Sequence, residues 1–152
     1  MPGRLGEFKA QEVSITVYSC ALLRFWHVEL FQAVCGHALQ QLPQFHSQNI
    51  SNMVYAFGLV GFRNEALLQA VAAHTPGRLD EFTAQGLSNL MYGLGLLRFR
   101  HAAFVRALCR HVPRRLPEFN PQNMSNTAFG LGRIGLRGTG LRLCGTGQAT
   151  YL

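Results

Sequence analysis

The fold is decided by one stretch of sequence, Leu42-Pro43-Gln44-Phe45-His46-Ser47-Gln48-Asn49-Ile50-Ser51-Asn52. Counterparts of this stretch return at a constant spacing of 37 residues. The same spacing relates a leucine row (Leu5, Leu42, Leu79, Leu116), a phenylalanine row (Phe8, Phe45, Phe82, Phe119), a glutamine row (Gln11, Gln48, Gln85, Gln122), a serine row (Ser14, Ser51, Ser88, Ser125) and an aromatic row (Tyr18, Tyr55, Tyr92, Phe129). A fixed period of roughly 20 to 50 residues is typical of stacked repeats. The sequence therefore predicts repeat frames 5–41, 42–78, 79–115 and 116–137.

Each repeat is predicted to begin with a helix that has clear end signals. Thr83 and Asn120 suit the N-cap position, and Pro121 suits the first helical turn because its missing N–H has no partner there anyway. At the other end, Gly61 and Gly135 follow the last apolar residues and suit a left-handed C-terminal cap. The first helix is therefore expected to be about fourteen residues long.

Apolar residues recur at the helical spacing of three and four residues. Ile50, Val54 and Phe57 follow this spacing in the first helix of the second repeat, which predicts one buried stripe. A second helix is predicted over roughly 64–75. Its apolar face consists of Leu67, Leu68, Val71 and Ala72.

Two further rows place small residues inside the first helix. They are Ala21, Gly58, Gly95 and Gly132, and Ser19, Ala56, Gly93 and Gly130. Each glycine inside a helix costs about 0.5–1 kcal/mol relative to alanine. A close approach of the adjacent helix would offset this cost, so the rows predict tight backbone contact between repeats. Compositional drift towards glycine is the alternative.

These features predict an all-α fold, a right-handed α-solenoid of helix-turn-helix repeats. A helix pair cannot bury its apolar face alone, so successive pairs must stack. The expected array has four first helices and three complete second helices, and its first and last repeats are incomplete. Residues 138–152 are too rich in glycine for a good helix and are expected to form a degenerate tail. Because neither end looks like a polar cap, we expect an excerpt from a longer array.

The composition is that of a folded, basic chain. Hydrophobic residues make up 48% and charged residues 14%, which excludes a disordered tail. The formal net charge is +7 with a pI near 9.9, and all but Lys9 of the 14 basic residues are arginine. Arginine suits bidentate contact with phosphate, which favours a polyanionic partner. A bias in genome base composition would give the same excess.

Catalytic and metal-binding patterns are missing from the sequence. There is no Gly-rich phosphate loop and no nucleophile with a plausible base and acid, so we expect no enzyme activity, cofactor or small-molecule substrate. His37, His74 and His111 form a row, but equivalent positions on stacked helices lie about 8–10 Å apart. One zinc ion, with bonds of about 2 Å, cannot bridge that distance. We therefore expect no metal, and no apolar run is long enough to span a membrane.

The stretch 42–52, followed by Tyr55-Ala56-Phe57 and Gly61-Phe62-Arg63, resembles known organelle RNA factors. It is similar to the octotricopeptide repeats of green algae, to the helical repeats that precede RAP domains in FAST-kinase-like mitochondrial proteins, and to the repeats of kinetoplastid RNA-editing substrate-binding proteins. The resemblance covers roughly residues 4–137. It implies binding of single-stranded RNA in a mitochondrion or chloroplast, with a role in transcript stability, processing or translation. It also implies other organelle RNA-processing proteins as partners.

Asparagines near the start of the first helix are candidates for reading bases. Helical repeats can read about one base per repeat, and an asparagine amide both donates and accepts hydrogen bonds. One set of candidates is the asparagine row Asn52, Asn89 and Asn126. The other set is Asn49 and Asn123, which lie three residues earlier at a position that varies among the repeats. The alternative is that these side chains bond the neighbouring backbone at the helix start. The glutamine and serine rows are expected to form the hydrogen bonds between repeats.

Arginines that follow each first helix are candidates for contact with phosphate. They are Arg63, Arg100 and Arg137, with Arg98 and Arg24 two residues before the corresponding positions. At repeat spacing they would form a stripe along a nucleic-acid backbone. A solvated basic face is the alternative.

A protein-binding scaffold of the armadillo or HEAT type is the alternative function of the chain, since such arrays share the helix pairs.

Overall fold

The structure, a computed structural model, describes residues 6–134. In this range the chain forms seven α-helices and no strand. The first helices of the four repeats are α1 (Ala10–Leu22), α3 (Ser47–Val60), α5 (Ala84–Leu96) and α7 (Pro121–Ile134). The second helices are α2 (Val28–Gln41), α4 (Glu65–His74) and α6 (Ala102–Arg115). Short 3-10 helices at Leu42–Gln44, Pro76–Glu81 and Leu116–Glu118 lead into the next repeat. The predicted all-α helical repeat fold is therefore confirmed.

The helix ends follow from the capping residues. The Thr83 Oγ1 atom accepts a 3.0 Å hydrogen bond from the Gly86 N–H, and the Asn120 Oδ1 atom accepts one of 2.8 Å from the Asn123 N–H. Both predicted N-caps are thus confirmed, and Pro121 is the first residue of α7 as predicted. The second helices have N-caps that the sequence reasoning missed. These are His27, Asn64 and His101, whose side chains accept from Leu30, Leu67 and Phe104 respectively.

The helices form two layers. The first helices pack in one row, α1 against α3, α3 against α5 and α5 against α7, and these are the most extensive contacts in the described part of the chain. The second helices form the other layer and touch one another much less. Between the layers lies a continuous core that contains the predicted apolar residues Ile50, Val54, Phe57 and Leu67. None of the described helices is both long enough and apolar enough to cross a bilayer.

Glycines bring the first helices into backbone contact, as predicted. A Cβ atom on Gly58 would lie 2.8 Å from the Cα atom of Gly93, and one on Gly95 would lie 2.6 Å from the Cα atom of Gly130. A Cβ atom on Gly130 would also collide with the carbonyl oxygen of Met91. No side chain fits at these points, so the glycines set the spacing of the repeats.

Each described first helix that is followed by a second helix ends in a turn whose geometry repeats. Gly61 has a φ angle of 70°, which confirms the predicted left-handed cap, while Gly135 lies outside the described residues. The equivalent positions in the first and third repeats are Arg24 and Arg98, with φ angles of 53° and 50°. Arginine rarely adopts this conformation because its Cβ atom crowds the backbone.

Arginine–glutamate pairs hold the end of a repeat against its own beginning. Arg78 donates a 3.1 Å hydrogen bond to the carbonyl oxygen of Phe45, and Arg115 donates one of 2.9 Å to that of Phe82. Each guanidinium group also binds a glutamate three residues later, Glu81 and Glu118 respectively. A role for these two glutamates could not be predicted from the sequence. The pKa values of Glu81 and Glu118 are lowered, chiefly because the arginine side chains donate hydrogen bonds to the carboxylates.

Candidate nucleic-acid interface

The exposed side of the first-helix layer carries parallel rows of side chains. In α3 the exposed or half-buried residues Gln48, Asn52, Tyr55 and Leu59 follow one another at steps of four, three and four residues, so they lie on one face. The same face continues on α1, α5 and α7. We call this surface the amide–aromatic face, and its members are Gln11, Gln48, Gln85, Gln122, Asn52, Asn89, Asn126, Tyr18, Tyr55, Tyr92 and Phe129.

The aromatic row is continuous across the four first helices. The ring centroids of Tyr18 and Tyr55 are 6.1 Å apart, those of Tyr55 and Tyr92 5.9 Å, and those of Tyr92 and Phe129 4.8 Å. Burial is the main cause that raises the pKa of the Tyr55 hydroxyl, and the neighbouring Tyr18 and Tyr92 raise it further. In the described part of the chain, no tyrosine hydroxyl of this row has a hydrogen-bond partner. The row thus presents half-buried tyrosine rings along the exposed side of the first-helix layer.

The asparagine row keeps its amides free. Asn52, Asn89 and Asn126 are half-buried, and none of their side chains hydrogen bonds to another described residue. This placement leaves a donor and an acceptor at each position on the amide–aromatic face. The base-reading role of these three residues stays a prediction.

Asn49 and Asn123 have a different environment, which corrects their assignment as base-reading residues. Both side chains are only 7% exposed. Their Oδ1 atoms accept from the N–H groups of His46 and Asn120, and their Nδ2 atoms donate to the hydroxyls of Ser14 and Ser88 on the preceding first helix, at 3.2 and 3.1 Å. Their amides are therefore consumed in capping a helix and joining two repeats.

The glutamine and serine rows do not share one role. All four glutamines are exposed, and none of their side chains forms a hydrogen bond with another described residue, so the predicted inter-repeat role is wrong for this row. In the serine row, Ser14 and Ser88 accept hydrogen bonds from the next repeat as predicted. Ser51 and Ser125 instead donate within their own helices, to the carbonyl oxygens of Ser47 and Pro121.

Grooves lie between neighbouring first helices on this side. The groove between α3 and α5 has a volume of about 320 Å³ and is lined by Gln48, Asn52, Gln85 and Asn89, with Ser51 and Gly86 at its base. The groove between α1 and α3 has a volume of only about 170 Å³. Both grooves are bordered by the free amides of the amide–aromatic face.

The predicted arginine stripe is divided by the structure. Arg63 donates a 2.8 Å hydrogen bond to the Leu97 carbonyl oxygen of the next repeat and binds Glu65, so its guanidinium group serves the packing of repeats and is not a free phosphate contact. Arg98 and Arg100 are exposed and form no ion pair with any described residue. Arg24 is equally exposed, while Arg137 lies outside the described residues. Three of the candidate arginines, Arg24, Arg98 and Arg100, thus remain exposed after the ends of the first helices.

A second basic stripe on α6 was missed by the sequence reasoning. Arg106, Arg110 and Arg114 are spaced by four residues, are exposed, and have no acidic partner among the described residues. Residues at this spacing lie on one face, about 6 Å apart along the axis. The sequence contains a signal for this stripe, because the equivalent positions of the second repeat carry the uncharged residues Gln69, Ala73 and Gly77. The arginines are therefore specific to the third repeat and are not part of the common repeat pattern.

The histidine row gives no metal site among residues 6–134, where no cluster of three potential ligands occurs. His37 is buried, and its Nε2 atom has no hydrogen-bond partner in that range. His74 contacts the Arg78 guanidinium group, and burial followed by this neighbouring charge lowers the pKa of His74.

Comparison with known proteins gives one family. The family model described as RNA-editing substrate-binding complex 6 protein matches residues 4–139. No curated protein matches the sequence significantly. The family match supports the resemblance to the RNA-editing substrate-binding proteins, and it concerns neither the octotricopeptide family nor the RAP-associated family. Because the match covers most of the chain and the whole described repeat array, the chain belongs to the RNA-editing substrate-binding complex 6 protein family.

Proposed function

We propose that the chain is a single-stranded RNA-binding helical repeat protein without catalytic activity. The observation that carries the proposal is the amide–aromatic face, on which amides and tyrosine hydroxyls cross the first-helix layer without a partner in the described part of the chain. Polar groups arranged in this way bind either water or a ligand. A repeating ligand with hydrogen-bonding edges matches a repeating row of amides.

Different residues of the face and its edge would bind different parts of the RNA. Asn52, Asn89 and Asn126 can each donate to and accept from the edge of one unstacked base. The neighbouring aromatic row offers apolar surface to the bases, and a base–aromatic contact contributes about 1–3 kcal/mol. Arg98 and Arg100, at the edge of the layer, are positioned to neutralise phosphates.

The family adds a biological setting to this proposal. Its name refers to an RNA-editing substrate-binding complex, which fits partners of both kinds, RNA and other proteins. We place the chain in mitochondrial RNA metabolism, acting on the processing, stability or translation of transcripts. With about one base per repeat, the described array covers only three or four nucleotides, so its affinity is expected to be low.

Fluorescence anisotropy with short RNA homopolymers and matched DNA tests the proposal. We expect salt-sensitive binding that differs among bases. The double variant Asn52→Ala/Asn89→Ala should weaken binding roughly tenfold and reduce the difference among bases. The matched control is Gln32→Ala/Gln40→Ala, which removes two exposed amides from α2 in the other layer. No binding at low salt, or equal losses in both variants, would count against the face as the RNA site.

A protein-binding scaffold is the second candidate, and one surface favours it. Leu22, Leu23, Phe25 and Trp26 are 50–79% exposed and adjoin one another at the end of α1. Apolar side chains clustered in this way are typical of protein contacts. Replacement of Leu23 and Phe25 by serine should leave RNA binding unchanged and abolish capture of a protein partner if this candidate is right.

A further inference from the structure

The three interfaces between neighbouring first helices differ at one position. Asn49 bonds the Ser14 hydroxyl across the α1/α3 interface, and Asn123 bonds the Ser88 hydroxyl across the α5/α7 interface. At the α3/α5 interface the equivalent of these asparagines is Gly86, which has no side chain to reach Ser51. This interface therefore lacks the amide that bridges the other two.

The serine hydroxyls respond to this difference. Ser14 and Ser88, which accept from an asparagine, donate to the carbonyl oxygens of Gln11 and Gln85, three residues earlier. Ser51 donates to the carbonyl oxygen of Ser47, four residues earlier. The oxygen of Ser51 thus has no donor from the next repeat and can accept a hydrogen bond at the base of the groove.

The volume of the groove agrees with the missing side chain. The α3/α5 groove, about 320 Å³, is nearly twice as large as the groove of about 170 Å³ at the equivalent place between α1 and α3, which Asn49 lines. A separate open pocket of about 480 Å³ borders Asn49 on the side of residues 6–11 and does not reach Ser14. A Cβ atom on Gly86 would lie 3.1 Å from the Ser51 Oγ atom and 3.3 Å from the Thr83 Oγ1 atom. The absence of a side chain at residue 86 therefore keeps the base of this groove open.

We propose that the groove at Gly86 holds one unpaired nucleobase of the bound RNA strand. The inference rests on the proposed function and adds a defined pocket to it. Pockets of a few hundred Å³ with a small number of convergent polar groups are typical of small-ligand sites. Here the polar groups are the amides of Asn52, Asn89, Gln48 and Gln85 at the rim and the Ser51 hydroxyl at the base.

A base suits this pocket better than a phosphate does. The rim consists of neutral amides, which match the donors and acceptors of a base edge, and no arginine or lysine lines the groove. The ring of Phe82 lies below, with its Cδ1 atom 3.7 Å from the Cβ position of residue 86, and gives the base an apolar contact. Insertion here would fix the register of the strand on the repeats, because at the neighbouring α1/α3 and α5/α7 interfaces an asparagine amide already bonds the serine hydroxyl.

The variant Gly86→Asn tests the inference by closing the groove with a contact that the chain already forms twice. The new amide should donate to Ser51 and accept from the Thr83 N–H, as Asn49 and Asn123 do at their own interfaces. We expect the thermal midpoint to stay the same or rise, and the affinity for a short single-stranded RNA to fall roughly tenfold. Gly36→Asn is the matched control, because Gly36 lies in α2 with nothing within 4 Å.

An abasic ribose-phosphate oligomer of the same length separates base insertion from backbone contact. The Gly86→Asn variant should bind this oligomer as the unchanged protein does. If Gly86→Asn fails to fold, Gly86→Ser narrows the same groove with a smaller side chain and should show a smaller loss. Equal affinity of the unchanged protein and a folded groove variant for base-bearing RNA would overturn the inference and leave the proposed function intact. Failure of the unchanged protein to bind any RNA would overturn both.

Discussion

Gly93 on α5 lies directly against Val54 on α3: a Cβ atom at residue 93 would stand 2.6 Å from the Val54 carbonyl oxygen. Real Cβ atoms do not approach a backbone oxygen so closely, and the backbone cannot move aside as a flexible side chain can. The cost of a glycine inside α5 is therefore offset by the close packing of α3 and α5 that it permits. This contact holds the groove and the rows of the amide–aromatic face in register.

Substitution of Gly93 by alanine should lower the free energy of unfolding. Overpacking of this kind costs about 1–3 kcal/mol, which exceeds the gain of about 0.5–1 kcal/mol in helix propensity. The matched change is Gly36→Ala, where nothing lies within 4 Å, and it should stabilise the protein by that propensity gain. Chemical denaturation of both variants measures the free energy of unfolding, which should fall for Gly93→Ala and rise for Gly36→Ala. A stable Gly93→Ala protein would show that the helices are not in backbone contact.

Substitution of Arg98 by glycine should raise stability while it weakens RNA binding. Arg98 has a φ angle of 50°, and the residue at the same position of the second repeat is Gly61. Relief of the left-handed conformation is worth about 1 kcal/mol, and loss of the guanidinium group removes a phosphate contact. Arg100→Gln should weaken binding without the gain in stability. Thermal melting and anisotropy on the two proteins separate the effects, and an Arg98→Gly protein that binds RNA normally would remove Arg98 from the interface.

Loss of the Arg115 side chain should loosen the third repeat where its end meets its beginning. Arg115→Gln removes the hydrogen bond to the Phe82 carbonyl oxygen and leaves that oxygen without this partner. We expect a fall in the thermal midpoint of about 2–4 °C, equivalent to about 1 kcal/mol. The junction between the first two repeats has glutamine at both equivalent positions, Gln41 and Gln44, so the double variant with Glu118→Gln should fold. A midpoint unchanged by Arg115→Gln would show that the bond to Phe82 contributes nothing.

Stability should fall in acid because of the arginine–glutamate pairs. The pKa values of Glu81 and Glu118 lie below the ordinary value of 4.5 in the folded state, chiefly because Arg78 and Arg115 donate hydrogen bonds to them. Groups with lowered pKa values stabilise the fold above their unfolded pKa, and this contribution is lost as the pH falls through the folded pKa. Thermal melts between about pH 7 and pH 3 should show this loss, and Arg115→Gln/Glu118→Gln should show less of it. An identical pH profile for the double variant would contradict this account.

The arginine stripe on α6 lies in the second-helix layer and should contact phosphates of a strand longer than the three or four nucleotides on the amide–aromatic face. Single-strand binding weakens with a log-log salt slope of about −0.7 per phosphate neutralised, so loss of three contacts should reduce the slope by about 2. The test variant is Arg106→Gln/Arg110→Ala/Arg114→Gln, with residues that α2 or α4 carries at the equivalent positions. The control is the triple variant Gln32→Glu/Gln40→Glu/Ala73→Glu, which lowers the net charge by the same amount at exposed sites on α2 and α4. Equal slopes for the two variants would show that only net charge matters.

Much of the fold could be predicted from the repeats, but much less of the candidate site could. The caps at Thr83 and Asn120 and the buried stripe of Ile50, Val54 and Phe57 depend on neighbours within one helix, which the sequence displays directly. The environments of Asn49 and Arg63 could not be predicted because each has one partner in its own repeat and one in another repeat. Asn49 bonds Ser14, 35 residues away, and Arg63 bonds the backbone of Leu97, 34 residues away.

The sequence by itself determined the 37-residue period, the pair of helices in each repeat and the close glycine contacts, because these follow from local propensity and from residue size at repeated positions. Only the tertiary structure decided which polar side chains form hydrogen bonds within the protein and which are exposed to solvent. Side chains of neighbouring repeats meet about two positions out of register, so a row of identical residues does not reveal its partners. The rotation of each first helix about its axis buries the amide of Asn49 and leaves that of Gln48, one residue away, in solvent.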